Sequence, residues 1–235
     1  MSDVPLIELR SVFKIYGEYG VRIKALDDVS LKIYEKEFVA VTGPSGSGKS
    51  TMLNCMGLLD RPSSGEVLID GANVNKMPGK KVAALRGKKI GFIFQTYNLI
   101  SRLTAMENVI LPGVVNGEKK ELLNSRAIEL MKEVDVLHRA KHKAAHLSGG
   151  EQQKVAIARA FINSPCVILG DEPTEALDTK NSENIMSILK KMNETHGVAT
   201  VFVTHDLSQT KCAKRIIELR DGKIIGDQRG GTGNE

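Results

Sequence analysis

A glycine-rich stretch at residues 39–54 contains the side chains with the clearest chemical use. Residues 43–50 follow the spacing G-x-x-x-x-G-K-S, the pattern of a phosphate-binding loop. The free backbone N–H groups of such a loop, and the positive end of the helix behind it, attract phosphate. Lys49 would place its charge against the β- and γ-phosphates of a nucleotide, and the Ser50 hydroxyl would bind Mg²⁺. The alternative is a glycine-rich turn without a ligand.

Polar residues follow predicted buried strands elsewhere in the chain. Gln95 follows residues 90–94, Asp171 and Glu172 follow residues 166–169, and His205 follows residues 199–203. In a parallel α/β sheet, ligands bind outside the carboxyl ends of the strands. We therefore expect these side chains to converge with the glycine-rich loop on one site.

Each of these polar residues suits a step of phosphate chemistry. Asp171 can bind Mg²⁺ through water, and Glu172 can accept a proton from an attacking water. His205 can hydrogen-bond the γ-phosphate and orient water, and Gln95 can report whether phosphate or metal is bound. Simpler interpretations remain open, because an acidic pair can cap a turn and a single histidine is often structural.

A second glycine-containing helix start predicts another anion site. The segment comprises Leu147, Ser148, Gly149, Gly150, Glu151 and Gln152. A serine followed by glycines at a helix N-terminus favours an anion. One chain seldom needs two such sites for one nucleotide. A dimer in which each chain's second site covers its partner's nucleotide explains both.

Composition indicates an ordinary globular protein. The 235 residues are 41% hydrophobic and 26% charged, with a net charge of +5. The three cysteines, Cys55, Cys166 and Cys212, are widely spaced, which predicts neither a disulfide framework nor a zinc site and favours a reducing compartment. Residues 1–5 lack the form of a signal peptide, and apolar runs fall short of the ~18 residues of a membrane span. Work at a membrane would therefore require a partner.

Apolar patterns predict the elements that position the site. Alternating strands at 6–12 and 25–34 predict a small antiparallel layer, joined by a turn at Gly17 and Gly20. Buried runs alternating with helices predict a parallel α/β sheet. Helical spacing over 118–137 indicates an inserted helical lobe, and further helices are predicted at 149–161 and 181–192.

These motifs together resemble the nucleotide-binding subunit of ATP-binding cassette (ABC) transporters over residues 4–227. Tyr16 matches the adenine-stacking aromatic, Gly43 to Thr51 the Walker A motif, and Gln95 the Q-loop glutamine. Residues 147–152 match the signature, 167–172 Walker B, and His205 the switch histidine. The D-loop corresponds to Ala176, Leu177 and Asp178.

The resemblance implies an α/β fold with a RecA-like P-loop core, a small antiparallel β layer and an inserted α-helical subdomain. The core would comprise residues 4–95 and 158–227, the helical signature subdomain 96–157, and a disordered tail 228–235. ATP would contact Tyr16, Gly43, Ser45, Gly46, Ser47, Gly48, Lys49, Ser50, Thr51, Gln95, Asp171 and His205, and the signature residues of a second chain. Ser50, Gln95 and Asp171 would bind Mg²⁺, and Glu172, His205, Gln95 and Lys49 would be catalytic.

The resemblance also implies partners. The chain would form a homodimer around two Mg·ATP, drive an integral-membrane permease from the cytoplasmic face of the membrane, and bind no nucleic acid. Residues 57–62, 92–99 and 104–109 resemble the branch that serves lipoprotein release, macrolide export and the cell-division permease. Export or extraction of a lipoprotein, lipid, drug or peptide is therefore expected. The alternatives are a soluble ABC ATPase acting on nucleic acid or ribosomes, and a scaffold that hydrolyses ATP poorly.

Three features depart from the family pattern. Glu175 occupies a position before the D-loop where a small or amide residue is usual, and a carboxylate there would slow dimer closure by repulsion. Lys154 replaces a common arginine. His138, His142 and His146 recur every four residues, which would place them on one helix face; a metal site is one interpretation, and a solvated helix among basic neighbours is the other.

Overall fold

The computed structural model describes residues 4–17 and 22–229. Its strands are β1 (Ile7–Tyr16), β2 (Ile23–Ile33), β3 (Phe38–Thr42), β4 (Ser64–Ile69), β5 (Ala72–Asn73), β6 (Ile90–Ile93), β7 (Val167–Asp171), β8 (Ala199–Val203), β9 (Arg215–Arg220) and β10 (Lys223–Arg229). Its α-helices are α1 (Lys49–Met56), α2 (Gly79–Lys89), α3 (Ala105–Val115), α4 (Lys120–Glu133), α5 (Gly149–Phe161) and α6 (Thr179–His196).

The larger sheet is mostly parallel, as the buried apolar runs predicted. Its strand order is β10-β9-β3-β8-β7-β6, and only the edge strand β10 among the described strands of this sheet runs antiparallel to its neighbour. Every residue of β3 and β8 is buried, because helices and the second sheet cover both faces. The carboxyl ends of β3, β6, β7 and β8 therefore lie along one edge, where the predicted site residues follow them.

The smaller sheet is the predicted antiparallel layer, with order β2-β1-β4-β5. Ile7 pairs with Ile33 on one side and with Ile69 on the other, so alternate apolar residues face a shared core. The predicted strand 6–12 is longer than expected and continues to Tyr16, through irregularities in register. Gly17 has the positive φ (+98°) of a turn, whereas Gly20 lies outside the described residues.

The inserted helices pack on a core of their own. Leu123 and Met131 of α4 are fully buried against α3 and α5, as their spacing predicted. Gly113 allows α3 to approach α4 closely, because a Cβ there would lie 2.2 Å from Leu123 Cδ2. The helical insertion is thus confirmed, while the domain limits at 95–96 and 157–158 stay a prediction. Helix α4 is shorter than the predicted 118–137, and α6 is longer than 181–192.

The prediction of a helix carrying His138, His142 and His146 was wrong. The segment forms short 3₁₀ turns at Leu137–Arg139 and Ala144–His146, so the three rings do not share a helix face. Within the described residues, the cluster able to hold a metal ion is a different one, and these histidines are not part of it.

The prediction of a disordered tail at 228–235 was wrong for its first two residues. Strand β10 continues to Arg229, with Gln228 paired to Ile216 and Arg229 to Arg215. The Arg215 guanidinium donates from Nε and Nη2 to the two oxygens of Asp227 at 2.8 and 2.7 Å, which ties the end of β10 to β9. The rest of the predicted tail, 230–235, lies outside the described residues.

Within residues 4–17 and 22–229, none of the helices combines the length and the apolar character that crossing a bilayer requires.

The Cys55 thiol is expected to resist alkylation. Its side chain is fully buried in α1, and burial raises its pKa to about 11, so very little thiolate exists at pH 8. Iodoacetamide followed by peptide mass spectrometry should leave Cys55 unmodified in the native protein and label it in urea. Cys166, which is partly exposed, is the internal control and should react in the native protein. Equal labelling of both in the native protein would contradict the buried position of Cys55.

Candidate functional site

The loop between β3 and α1 has a conformation that only glycine permits at two positions. Gly43 has φ +146°, and a Cβ there would lie 2.0 Å from the Leu219 carbonyl oxygen. Gly48 has φ +102°, and its Cβ would lie 2.3 Å from the Ala25 carbonyl oxygen. The loop is therefore packed between β9 and β2, with its backbone bent tightly in front of α1.

The β9–β10 turn supports this loop from outside. Gly222 N–H donates to the Ser47 carbonyl at 3.0 Å, and the Gly222 carbonyl accepts from Asp27 N–H at 2.8 Å. One turn thus hydrogen-bonds both the glycine-rich loop and β2, which joins the two sheets at this point.

The start of α1 carries positive charge that no residue of its own first turn balances. Its N-cap is Gly48, no side chain in the described part of the chain caps it, and its first turn contains no acidic residue. Lys49 is buried, and its ammonium donates to the carbonyls of Gly43 (2.8 Å) and Pro44 (2.9 Å). Ser47 Oγ is buried without a hydrogen-bond partner among the described residues. These groups suit a bound phosphate.

The acidic strand end lies directly against this loop. Ser50 Oγ donates to Asp171 Oδ1 at 2.9 Å, which joins residues 121 positions apart. Burial is the main cause that raises the pKa of Asp171, and the Ser50 hydroxyl offsets part of that effect. A hydroxyl and a half-buried carboxylate fit Mg²⁺, because this ion prefers hard oxygen ligands and would compensate the buried charge.

Glu172 and His205 form a contact beside Asp171. Glu172 has φ +46°, an uncommon value for a non-glycine residue, and its Oε2 lies 2.8 Å from His205 Nδ1. The expected convergence of β7 and β8 on one site is therefore present.

Glu175 joins this pair, which the sequence did not indicate. One carboxylate oxygen of each glutamate and one imidazole nitrogen of His205 lie within 4.8 Å of one another. Hydrogen bonding with the Glu172 carboxyl and, less strongly, burial raise the pKa of Glu175. Gln95, exposed beyond the end of β6, lies close enough to Glu175 to offset part of this rise in its pKa. The unusual carboxylate thus contacts two predicted site residues of its own chain.

Arg159 fixes the segment that follows Gln95. Its guanidinium donates to the carbonyls of Tyr97 (2.7 Å) and Asn98 (2.5 Å), both of which have positive φ. Burial lowers the pKa of Arg159 to about 10. No local sequence signal identifies this contact, because it joins residues about 60 positions apart.

The second predicted anion site begins α5 and is capped by its own side chains. Ser148 Oγ accepts from Glu151 N–H at 3.3 Å, and Glu151 Oε2 accepts from Ser148 N–H at 2.9 Å. Burial would raise the pKa of Glu151, but hydrogen bonds from Ser148 and Arg139 lower it. This capping box does not use the N–H groups of Gly149 and Gly150, so these remain suited to an anion.

The remaining predicted residues lie around these groups. Leu147 is buried and its carbonyl accepts from Gln152 Nε2 at 3.0 Å, while Leu177 lies against Gly149. Asp178 caps α6 by accepting from Asn181 N–H at 2.9 Å, and Lys154 contacts Asp135. Gly46 has open space around it, Ser45 is exposed, Thr51 is half-buried in α1 beside Tyr16, and Ala176 is exposed.

Buried Gln153 connects α5 to the Glu172 segment by donating from Nε2 to the Pro173 carbonyl. Sequence reasoning missed this residue, because a glutamine within a helix carries no signal of a distant partner.

Known proteins similar to this chain identify its family. The ABC transporter family model matches residues 26–175. An uncharacterized ABC transporter ATP-binding protein of Thermotoga maritima is 47% identical, over 97% of each chain. A macrolide export ATP-binding/permease protein MacB of Hyphomonas neptunium is 46% identical over 95% of this chain, but this chain spans 34% of that protein.

A solved structure is also similar throughout. The ATP-binding cassette MJ0796, in a dimeric post-hydrolysis state bound to ADP and Pi, superposes with a TM-score of 0.87 at 46% identity, over 95% of this chain and 98% of that chain. The family match covers more than half of the chain, and the fold agrees with a cassette. This chain belongs to the ABC transporter family, of which it is an ATP-hydrolysing cassette.

Proposed function

We propose that this chain is the ATPase motor subunit of an ABC transporter, and that its site consists of the residues described above. The contact between Ser50 and Asp171 carries the proposal, because it brings the glycine-rich loop and the acidic strand end into one site. The Glu172–His205 pair lies next to it. Phosphate, metal and catalytic groups therefore occupy one edge of the sheet.

The reaction is the hydrolysis of ATP to ADP and phosphate. Lys49 and the loop N–H groups bind the β- and γ-phosphates, and Tyr16 stacks on the adenine. Glu172 accepts the proton of the attacking water, while His205, bonded to Glu172, orients that water toward the γ-phosphate. Ser50, Asp171 and Gln95 would bind Mg²⁺, which supplies positive charge to the phosphates when bound.

Two copies enclose two nucleotides in this proposal. The segment 147–152 of one chain covers the ATP on the glycine-rich loop of its partner, using the N–H groups that its capping box leaves unused. The dimeric cassette structures of the relative MJ0796 support this arrangement.

A membrane permease is the proposed partner. The MacB relatives are ATP-binding/permease proteins, and this chain corresponds to about a third of their length. A permease would act together with this cassette at the cytoplasmic face of the membrane and export or extract a lipoprotein, lipid, drug or peptide. No observation on the described residues favours action on nucleic acid or ribosomes.

The test is Mg·ATP turnover of the purified chain as a function of its concentration. Because a site is complete only in the dimer, the rate per chain should rise with concentration and then level off. The Glu172→Gln variant with saturating ATP should elute as a dimer in size-exclusion chromatography. A rate per chain that does not depend on concentration, together with a monomeric variant at saturating ATP, would contradict the dimeric site.

A further inference from the structure

The Tyr16 ring is fixed at its hydroxyl end by a residue from another part of the chain. Tyr16 Oη donates to Asp60 Oδ2 at 2.8 Å, and Asp60 follows the end of α1. Tyr16 remains 38% exposed, so part of its surface is available to a ligand. The Thr51 side chain of α1 lies close enough to the phenol to lower its pKa slightly. The ring at the end of β1 is thus joined to the helix that begins at the phosphate loop.

Lys14 completes a network with this pair. Its ammonium donates to Asp60 Oδ1 at 2.6 Å and to the Arg61 carbonyl at 2.8 Å, and its side chain is only 12% exposed. The same ammonium lies 4.8 Å from the centroid of the Tyr16 ring. One aromatic face is therefore covered by a cation that Asp60 fixes, and a planar ligand must use the other face.

The protonation states agree with this network. Burial is the largest cause of the raised pKa of Tyr16, and the hydrogen bond to the Asp60 carboxylate raises it further. The phenol therefore keeps its proton and donates it to Asp60 in a hydrogen bond. Burial opposes ionisation of Asp60, but hydrogen bonds from Lys14 and Tyr16 outweigh it and lower the pKa of that carboxyl.

We propose that Asp60 and Lys14 are positioning residues that orient the Tyr16 ring for stacking on a purine base. The inference rests on the proposed function, in which Tyr16 contacts adenine. Without the network the ring would be less restrained, and nucleotide binding would have to restrict its remaining motion. Asp60 and Lys14 should therefore strengthen the contribution of the base to ATP affinity and leave the contribution of the phosphates unchanged.

The test compares ATP with inorganic tripolyphosphate, which has the phosphates but no base, by calorimetry in the presence of Mg²⁺. Tyr16→Phe keeps the ring and the Lys14–Asp60 pair but removes the bond to Asp60. Asp60→Ala removes the hydrogen bonds that this carboxylate accepts from Tyr16, Lys14 and the Arg61 N–H. Tyr16→Ala removes the ring. Tyr16→Phe and Asp60→Ala should each weaken ATP binding by roughly threefold to tenfold. Tripolyphosphate binding should not change in either variant.

The double variant Tyr16→Phe/Asp60→Ala should bind ATP only slightly more weakly than Asp60→Ala alone, because each substitution removes the same Tyr16–Asp60 hydrogen bond. In turnover measurements the weaker ATP binding should appear as a raised KM for ATP. Tyr16→Phe is the safer variant, since it leaves the Lys14 charge paired and the fold intact.

Several results would overturn the inference. If Tyr16→Ala weakens ATP binding but Tyr16→Phe and Asp60→Ala do not, the ring stacks without needing the network, and the proposed ATPase function is unaffected. If tripolyphosphate binding falls as much as ATP binding, the network supports the phosphate loop instead. If Tyr16→Ala binds ATP like the wild type, the base does not stack on this ring. Failure of the ATPase proposal would show separately, as absent turnover in the wild-type protein.

Discussion

Glu172→Gln should lower the rate of ATP hydrolysis by about 10²- to 10⁴-fold, the usual contribution of a general base. The amide cannot accept the proton of the attacking water, but it retains nearly the same shape and can still hydrogen-bond His205, which lies 2.8 Å away. ATP affinity should therefore stay within a few-fold of the wild type. Single-turnover hydrolysis measured with equilibrium binding would separate these two effects.

Two matched carboxylate-to-amide variants test this assignment. Glu183→Gln changes an exposed residue of α6 and should keep wild-type turnover. Glu175→Gln makes the same change within the cluster that contains Glu172 and His205, and it should keep turnover within about tenfold, because Glu175 is not the proposed base. If Glu175→Gln abolishes hydrolysis and Glu172→Gln does not, the two glutamates have been assigned the wrong roles.

Lys49→Ala should weaken ATP binding by roughly ten- to hundredfold. A hydrogen bond to a charged group contributes about 1.5–3 kcal/mol, and ATP would lose the buried ammonium that meets its terminal phosphates. The lower end is favoured, because phosphate binding also requires the ammonium to leave the carbonyls of Gly43 and Pro44. Titration of a fluorescent ATP analogue measures the change.

Lys81→Ala is the matched control for Lys49→Ala. Lys81 lies on the exposed side of α2, so its loss removes the same net charge without touching the glycine-rich loop. Its ATP affinity should equal that of the wild type. The melting temperature of both variants without nucleotide shows whether either has lost its fold. An unchanged affinity in a folded Lys49→Ala protein would contradict the proposed phosphate contact.

The sequence predicted the parts of the site that depend on local pattern. Continuous apolar runs such as that of β8 predicted buried parallel strands, and the position of His205 just beyond the strand predicted its place at the sheet edge. The glycine spacing predicted the loop, because Gly43 and Gly48 have backbone angles and contacts that other residues cannot adopt. In these cases the residue type directly reflects the burial or the backbone conformation that its position requires.

Contacts between distant segments were not predictable in the same way. The contact of Glu175 with Glu172 and Gln95, and the bonds of Arg159 to the segment after Gln95, depend on how strands and helices pack. Local spacing also misled, since a four-residue histidine repeat suggested a helix where the chain forms 3₁₀ turns. Helix α2 lacks a clear apolar stripe because its residues are half-buried or exposed, so periodicity gave no indication of it.

The β9–β10 turn affects how this protein can be engineered. A short hairpin with an Asp-Gly tip is ordinarily a tolerant place for an inserted tag or a cleavage site. In this hairpin Asp221 is exposed but Gly222 is buried. Here the Gly222 backbone forms hydrogen bonds with Ser47 of the glycine-rich loop and with Asp27 of β2. A Cβ on Gly222 would also lie only 3.0 Å from the Ala25 carbonyl oxygen. An insertion at this tip would therefore disturb the phosphate loop from outside.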